Sequence, residues 1–407
     1  MNDGYELANH PKIAVASSGL GHVARGIEAW ASDLGAALAE RGLPVILCKG
    51  GGTVERPFER VIPCWQRDSA KTKRLHRWLP RRFFWRIGLG SPYDIEQLTF
   101  CRRLIRVLRR EKVDILHVQD PLVALLVQRA RQLGMVRTST ILAHGTEEPL
   151  SFLKRIEYLQ HLAPWHMEQA REAGVWKPTW TAIPNFIDIS LFAPGPSEAL
   201  RAELNIPKDA LVVLSAAAIK RHHKRVDHVI REFGRLREAA PDLPVWLVLA
   251  GGWEKETDEL IAEGQRLLGD RVRFLVRFPR QRMPDLYRAA NVFCLGSLLE
   301  MMPIALLEAT ASGLPCLVNR QPVMEWMIGP GGEAIDMAAP GALAAALERL
   351  LRSQSERERL GSLGREHCLR NFSRDAVVDQ ILAYYEVVSG RSNRATVQAM
   401  VDKAEIG

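Results

Sequence analysis

Short runs of β-branched and apolar residues alternate with stretches of helical apolar spacing along nearly the whole chain. In the first half, Ile13–Ser17, Pro44–Cys48, Ile115–Val118, Thr140–Ala143 and Thr179–Ile183 read as strands. Between them His22–Arg41, Tyr93–Lys112 and Leu122–Leu133 put their apolar residues on one helical face. The text SLFAPGPS at Ser190–Ser197 is Pro/Gly punctuation of the kind that joins domains. A second set follows: strands at Leu211–Ala216, Val245–Ala250, Val272–Leu275, Asn291–Leu295 and Pro315–Val318, with helices that include Val226–Ala239 and Ala342–Leu351. A last helix spans Arg374–Val388, and the tail after Gly390 is polar.

Apolar strands alternating with amphipathic helices build parallel sheets covered by crossover helices. At 407 residues the chain is long enough for two cores. The expected fold is therefore α/β: two Rossmann-like, doubly wound domains in tandem, facing a cleft. The boundaries fall at 1–193 and 194–373, with 374–407 crossing back onto the first domain through the last helix.

Composition narrows the function classes. With 47% apolar and 25% charged residues the chain reads as globular. Its six cysteines are scattered without C-x-x-C or a histidine cluster at metal spacing, which argues against structural zinc and a disulfide framework. The opening MNDGYELANHPK lacks the basic-then-apolar pattern of a secretory leader, and no apolar run reaches a membrane span of ~20 residues. A cytoplasmic protein is expected. The net charge of +8 is uneven: eight Arg/Lys and one acid lie between Gln66 and Arg86, with Trp78, Phe83, Phe84 and Trp85 among them. Residues 65–86 read as a solvated basic loop or as a peripheral contact with anionic lipid or an anionic acceptor. No nucleic-acid motif accompanies the charge.

Four places carry candidate chemistry. Gly19-Leu20-Gly21-His22-Val23-Ala24 follows the first strand and matches the dinucleotide fingerprint in form. The second strand, however, runs into Cys48-Lys49-Gly50-Gly51-Gly52, without the acid a NAD(H) ribose needs. The loop is better read as a glycine turn giving a ligand access to the sheet edge, with His22 as an acceptor-side base or a polar helix start. Lys220-Arg221-His222-His223-Lys224-Arg225 leaves the first strand of the second half, placed to neutralise a diphosphate or simply to face water. His144 ends a strand beside Gly145, at the carboxyl edge where open sheets bind ligands. Glu300 and Glu308 enclose Met301–Leu307, the first at a strand exit and the second inside a helix that starts near Pro303 and stops at Gly313. That arrangement places two carboxylates for hydroxyls on either side of helix-start amides suited to phosphate, the order of parts in a nucleotide sugar.

With these residues the chain resembles the retaining glycosyltransferases of family 4, which have the GT-B fold. SLLEMMPIALLEATASGLPCLV looks like that family's E-x7-E segment, and IPNFIDISLFAP like its interdomain segment, with Asn185 and Asp188 in matching places. HKRVDHVI resembles its lysine helix start, and NFSRDAVVDQILAYY its last helix. The resemblance implies a metal-independent transfer of a sugar from a nucleotide diphosphate donor to an acceptor hydroxyl, with retained configuration. It implies that Glu300 holds donor-sugar hydroxyls, Glu308 the ribose, and Lys224 the diphosphate, helped by Lys220, Arg221 and amides near Met302, Pro303 and Ile304. His144 would touch the donor sugar, and Gly19 and Gly21 would lie between donor phosphate and acceptor. No cofactor is implied beyond the co-substrate, a UDP-sugar first and a GDP-sugar second; the acceptor is left open, with residues 65–86 pointing to an anionic or lipid-linked one and to a peripheral membrane contact at the inner face. Three positions depart from the pattern: Ala217-Ala218-Ile219 where an arginine is usual, and Arg225 and Met301 where glycines are. A sugar-nucleotide epimerase or hydrolase, or a non-catalytic nucleotide-sugar-binding subunit, are the alternatives.

Overall fold

The computed structural model describes residues 10–23, 25–78 and 90–391; Ala24, the Phe83, Phe84 and Trp85 part of the basic segment and the tail beyond Arg391 lie outside them. The chain divides into two compact units, Met1–Pro184 with Val377–Gly407, and Asn185–Ala376.

The first unit holds β1 (Ile13–Ser17), β2 (Val45–Lys49), β3 (Glu59–Val61), β4 (Ile115–Val118), β5 (Ser139–His144), β6 (Tyr158–His161) and β7 (Thr181–Ala182). They form one sheet in the order β3-β2-β1-β4-β5-β6-β7, and every pair is parallel. Parallel strands covered on both faces need apolar residues at every position, and β1 is buried at all of its five. Ile13 stands beside Val45 on one side and Ile115 on the other, which fixes the register of the centre. The helices Gly26–Glu40, Pro92–Arg110 and Pro121–Gln132 cross over between strands. Ser91 caps the second of these by accepting from Asp94 N at 3.1 Å, and Pro92 fills the first turn, where a missing N–H costs nothing.

The second unit holds β8 (Leu211–Ala216), β9 (Val245–Gly251), β10 (Val272–Val276), β11 (Val292–Cys294), β12 (Cys316–Asn319) and β13 (Gly332–Ile335). Their order, β10-β9-β8-β11-β12-β13, is again all parallel. The helix Val226–Ala239 presents Val229, Ile230, Phe233 and Leu236 to the core at helical spacing. Truncating Phe233, fully buried there, costs about 3–5 kcal/mol.

Each sheet reverses its winding at its first strand, between β1 and β4 and between β8 and β11. At such a point adjacent crossovers leave on opposite faces, and a crevice opens at the strands' carboxyl ends.

Ten strands and the main crossover helices lie where the periodicity put them, within a residue or two at most ends. Strands β3, β6 and β13 were not anticipated. They carry ERV, YLQH and GEAI, short polar-interrupted segments without an apolar run. The linker also moves. Phe186, Ile187 and Phe192 are buried, Phe192 stands edge-on to Tyr287 at 5.8 Å, and Ile187 bridges Ser373. These apolar residues tie 185–193 to the second unit, so the first ends at Pro184 rather than 193, and the return is at Val377 rather than 374. Beyond it, the last helix buries Val377, Ile381, Tyr384 and Tyr385 in the first unit. Tyr385 Oη lies 2.8 Å from His117 Nδ1, and Tyr384 Oη donates to Thr179 O at 2.6 Å.

Candidate active site

In the second unit the two loops at the switch point meet. The Ala217–Arg225 loop leaves β8, and the Leu295–Pro303 loop leaves the neighbouring β11. Lys224 Nζ donates to Glu300 Oε1, and His223 Nε2 stands 3.4 Å from Glu300 Oε2. Burial alone would raise the Glu300 carboxyl; His223 and Lys224 outweigh it and hold the group at about 2. Glu300 is thus a carboxylate at any ordinary pH, an acceptor-only group suited to sugar hydroxyls.

The helix Ile304–Ala311 begins three residues after Met301, with Pro303 extended at its cap. A helix start leaves its first amides without intrahelical partners, which makes it attractive to phosphate; here Leu306 N already donates to Pro303 O at 3.0 Å. Glu308 lies within this helix and is buried. Tyr287 Oη donates to its Oε2 at 2.7 Å, and Arg280 Nη1 to its Oε1 at 3.2 Å. These bonds orient the Glu308 carboxylate. Met302 is buried, its sulfur accepting from Asn185 N at 3.1 Å, so its side chain anchors the loop. Asp188, the other interdomain match, closes a turn by accepting from Ser190 Oγ at 2.6 Å.

The basic loop is not uniformly aimed at this site. Arg221 Nη2 lies 2.8 Å from Glu263 Oε2 and Nη1 3.8 Å from Asp227 Oδ2. Arg221 is thus paired with acids of the two flanking helices. Lys220 is half-buried. Ile219, in the stretch where the resemblance expects an arginine, is a core residue. Arg225 takes left-handed backbone at φ 49°, the conformation for which glycine is the default, and its Nη1 donates to Met337 O at 2.9 Å. Met301 has no positive φ, so its backbone does not require the glycine found there in the family pattern.

The first unit has a second polar cluster at its own switch point. Ser18 Oγ donates to Asp120 Oδ1 at 2.6 Å and Tyr93 Oη to the same oxygen at 2.9 Å. Arg67 donates from Nε and Nη2 to Glu96 Oε1 at 3.0 and 2.5 Å, and His22 Nε2 lies 3.0 Å from Glu96 Oε2. Glu96 is held at about 2 despite burial, because His22 and Arg67 bond it. Glu28 goes the other way: burial, reinforced by Asp120, pushes it up to about 7. Its Oε2 is buried without a hydrogen-bond partner.

The glycines have packing reasons here. A Cβ on Gly19 would stand 2.1 Å from Glu28 Oε1, and one on Gly21, at φ 94°, would stand 2.2 Å from Gly51 O. The loop therefore packs on the second glycine turn and on Glu28. His22 sits in the turn before the helix, not inside it.

His144 ends β5 nearly buried, with Nδ1 3.3 Å from His161 Nδ1 and its ring 5.7 Å from that of His166. Burial pushes His144 down to about 3, with His166 adding to it, so it acts as a neutral hydrogen-bonding group. Its Nε2 is buried without a partner.

Sequence reading missed Glu28, Arg67, Glu96, Asp120, His161, His166 and Tyr287. A signal existed for some of them. Asp120 follows β4 as Glu300 follows β11, and Glu96 interrupts an apolar stripe with Phe100 and Leu104. Among the described residues no group of three or more His, Cys, Asp or Glu side chains is arranged to hold a metal ion, and no helix is long and apolar enough to cross a membrane.

The family model described as Glycosyl transferases group 1 matches residues 196–367, and that described as Glycosyl transferase 4-like domain matches 25–185. The chain belongs to the group 1 glycosyltransferases of the GT-B fold. Among curated relatives, this group 1 chain is 30% identical over 212 residues to a D-inositol 3-phosphate glycosyltransferase of Kribbella flavida, covering 50% of each. It is 27% identical to the lipopolysaccharide core biosynthesis glycosyltransferase LpsE of Rhizobium meliloti, over 73% of this chain and 82% of that one. The match spans about half the length of the relatives near 30% identity. Solved GT-B structures share the fold. Sucrose-phosphate synthase from Thermosynechococcus elongatus superposes with a TM-score of 0.76 at 20% identity, covering 93% of this chain and 99% of that one. Anabaena HepE, in complex with UDP and glucose, does so at 0.70 and 15%, covering 94% and 100%.

Proposed function

We propose that this group 1 protein transfers a sugar from a nucleoside diphosphate donor to an acceptor hydroxyl, with retained anomeric configuration and without a metal ion. The Lys224–Glu300 pair at the second sheet's switch point carries this reading, with a helix start beside it. Glu300 orients sugar hydroxyls, Glu308 faces the ribose, and Lys224 with the amides at Met302–Ile304 takes the charge that develops on the diphosphate. The bond from the anomeric carbon to the phosphate oxygen breaks as the bond to the acceptor oxygen forms on the same face. The acceptor's proton passes to the leaving phosphate, so no protein base is needed. His144 is the first unit's candidate for contact with the sugar, Gly19 and Gly21 its candidates for the loop between donor phosphate and acceptor, and His22 its acceptor-side candidate.

A UDP-sugar is the first donor to test, supported by HepE, whose structure holds UDP and glucose. The relatives named for inositol phosphate and lipopolysaccharide core favour an anionic or lipid-linked acceptor. The basic helix Ala70–Trp78, where Trp78 is 80% exposed and Lys71 Nζ lies 3.8 Å from the Trp65 ring, supports contact with an anionic membrane surface.

The deciding experiment incubates the protein with UDP- and GDP-sugars, with and without phosphorylated and lipid-linked acceptors, and follows product by NMR. Acceptor-dependent product with the donor's anomeric configuration, unaffected by EDTA, is expected. Free or epimerised sugar without acceptor points to a hydrolase or epimerase instead, and donor binding without turnover points to a binding subunit. Flotation with anionic but not neutral liposomes is expected; equal absence from both removes the membrane contact.

A further inference from the structure

Two non-glycine residues of the loop after β8, His223 and Arg225, hold left-handed backbone, at φ 69° and 49°. Residues with a Cβ disfavour that region, and such departures gather at ligand sites. For Arg225 the conformation is explained by its bond to Met337 O. For His223 the contact is with the candidate site itself, Nε2 at 3.4 Å from Glu300 Oε2. The imidazole remains 30% exposed while the carboxylate it covers is 8% exposed, so His223 lies on the solvent side of Glu300, where a ligand must approach. Lys224 takes the other oxygen of the same carboxylate. The rest of the loop offers less: Ile219 is in the core, and Arg221 is held by Glu263 and Asp227.

We propose that His223 is a further donor-site residue, an imidazole that shares the donor's diphosphate with Lys224 once sugar hydroxyls occupy Glu300. The inference rests on reading Lys224 and Glu300 as a donor site. Hydroxyl donors at Glu300 compete with His223 and Lys224 for the same two oxygens. Freed from Glu300, both groups are left beside the leaving diphosphate, and the imidazole N–H adds a second donor to the anion there.

The test is calorimetric titration with UDP and GDP, and with the matching nucleosides, for the wild type, His223→Asn, His223→Arg and Lys224→Ala. Asparagine tolerates left-handed backbone, and Arg225 shows that the loop accepts arginine in that region. His223→Asn is expected to weaken diphosphate binding about tenfold, the scale of one charge-assisted contact, and to leave nucleoside binding unchanged. His223→Arg is expected to restore the diphosphate affinity. Diphosphate binding by His223→Asn equal to wild type, with Lys224→Ala weakened, overturns this inference alone. If Lys224→Ala also binds like wild type, or neither diphosphate binds the wild type, the donor reading fails and takes the inference with it.

Discussion

Lys224 and Glu300 meet across the point where the second sheet reverses its winding, one from the exit of β8 and the other from the exit of β11. Neither strand could place both groups. The pair exists because the fold puts the two strands side by side, and its geometry sets the first prediction. Glu300→Gln and Lys224→Ala should each lower turnover by at least about tenfold to a hundredfold, the range for losing one charge-stabilising contact. Steady-state rates with the best donor check this; near-normal turnover in both variants sinks the assignment.

The same pair makes a stability prediction. His223 and Lys224 depress Glu300 to about 2 in the folded protein, so its contribution is present above the ordinary carboxylate value and lost as pH falls toward 2. Urea unfolding should show wild type more stable than Glu300→Gln, by on the order of 2 kcal/mol at pH 7, with the gap narrowing below about pH 4. A gap that stays constant down to pH 3 contradicts the electrostatic origin.

Glu28 carries the opposite sign. Its carboxyl, raised to about 7 by burial and by Asp120, favours the folded state while protonated and loses that favour as pH rises through 7. Glu28→Gln should therefore gain on wild type between pH 5 and pH 8, by on the order of 2 kcal/mol. Thermal melts at the two pH values decide it; parallel melting curves exclude a raised carboxyl.

Gly21→Ala should destabilise the first unit by about 2–4 kcal/mol, because the backbone is left-handed at φ 94° and the new Cβ would lie 2.2 Å from Gly51 O. Gly42, also at positive φ but with nothing within 4 Å, serves as the control. Gly42→Ala should cost only about 1 kcal/mol. Equal losses in the two variants would mean the contact between the glycine turns is unimportant.

The sequence by itself determined the class of fold and the second unit's donor-like loops. Strands buried on both faces must be apolar throughout, and helices covering them must show a 3.6-residue period, so both kinds of element are written locally. Glu300, Glu308 and Lys224 became candidates for a related reason: Lys224 and Glu300 lie in loops after strands and Glu308 inside a short helix, and those positions are local too. Tertiary structure alone decided which side chains close on one another. Arg221 and Lys224 look equivalent in the text, yet the turn ending at Arg225 sends one to Glu263 and the other to Glu300. The cluster of Glu28, Arg67, Glu96 and Asp120 draws on segments far apart in the chain, and its opposed carboxyl shifts arise from which charges share a buried space. Residues 185–193 likewise read as the end of the first domain, whereas Phe186, Ile187 and Phe192 are buried and the segment groups with the second unit. Spacing along the chain encodes local geometry, whereas charge pairing and burial depend on distances that only the folded sheet order sets.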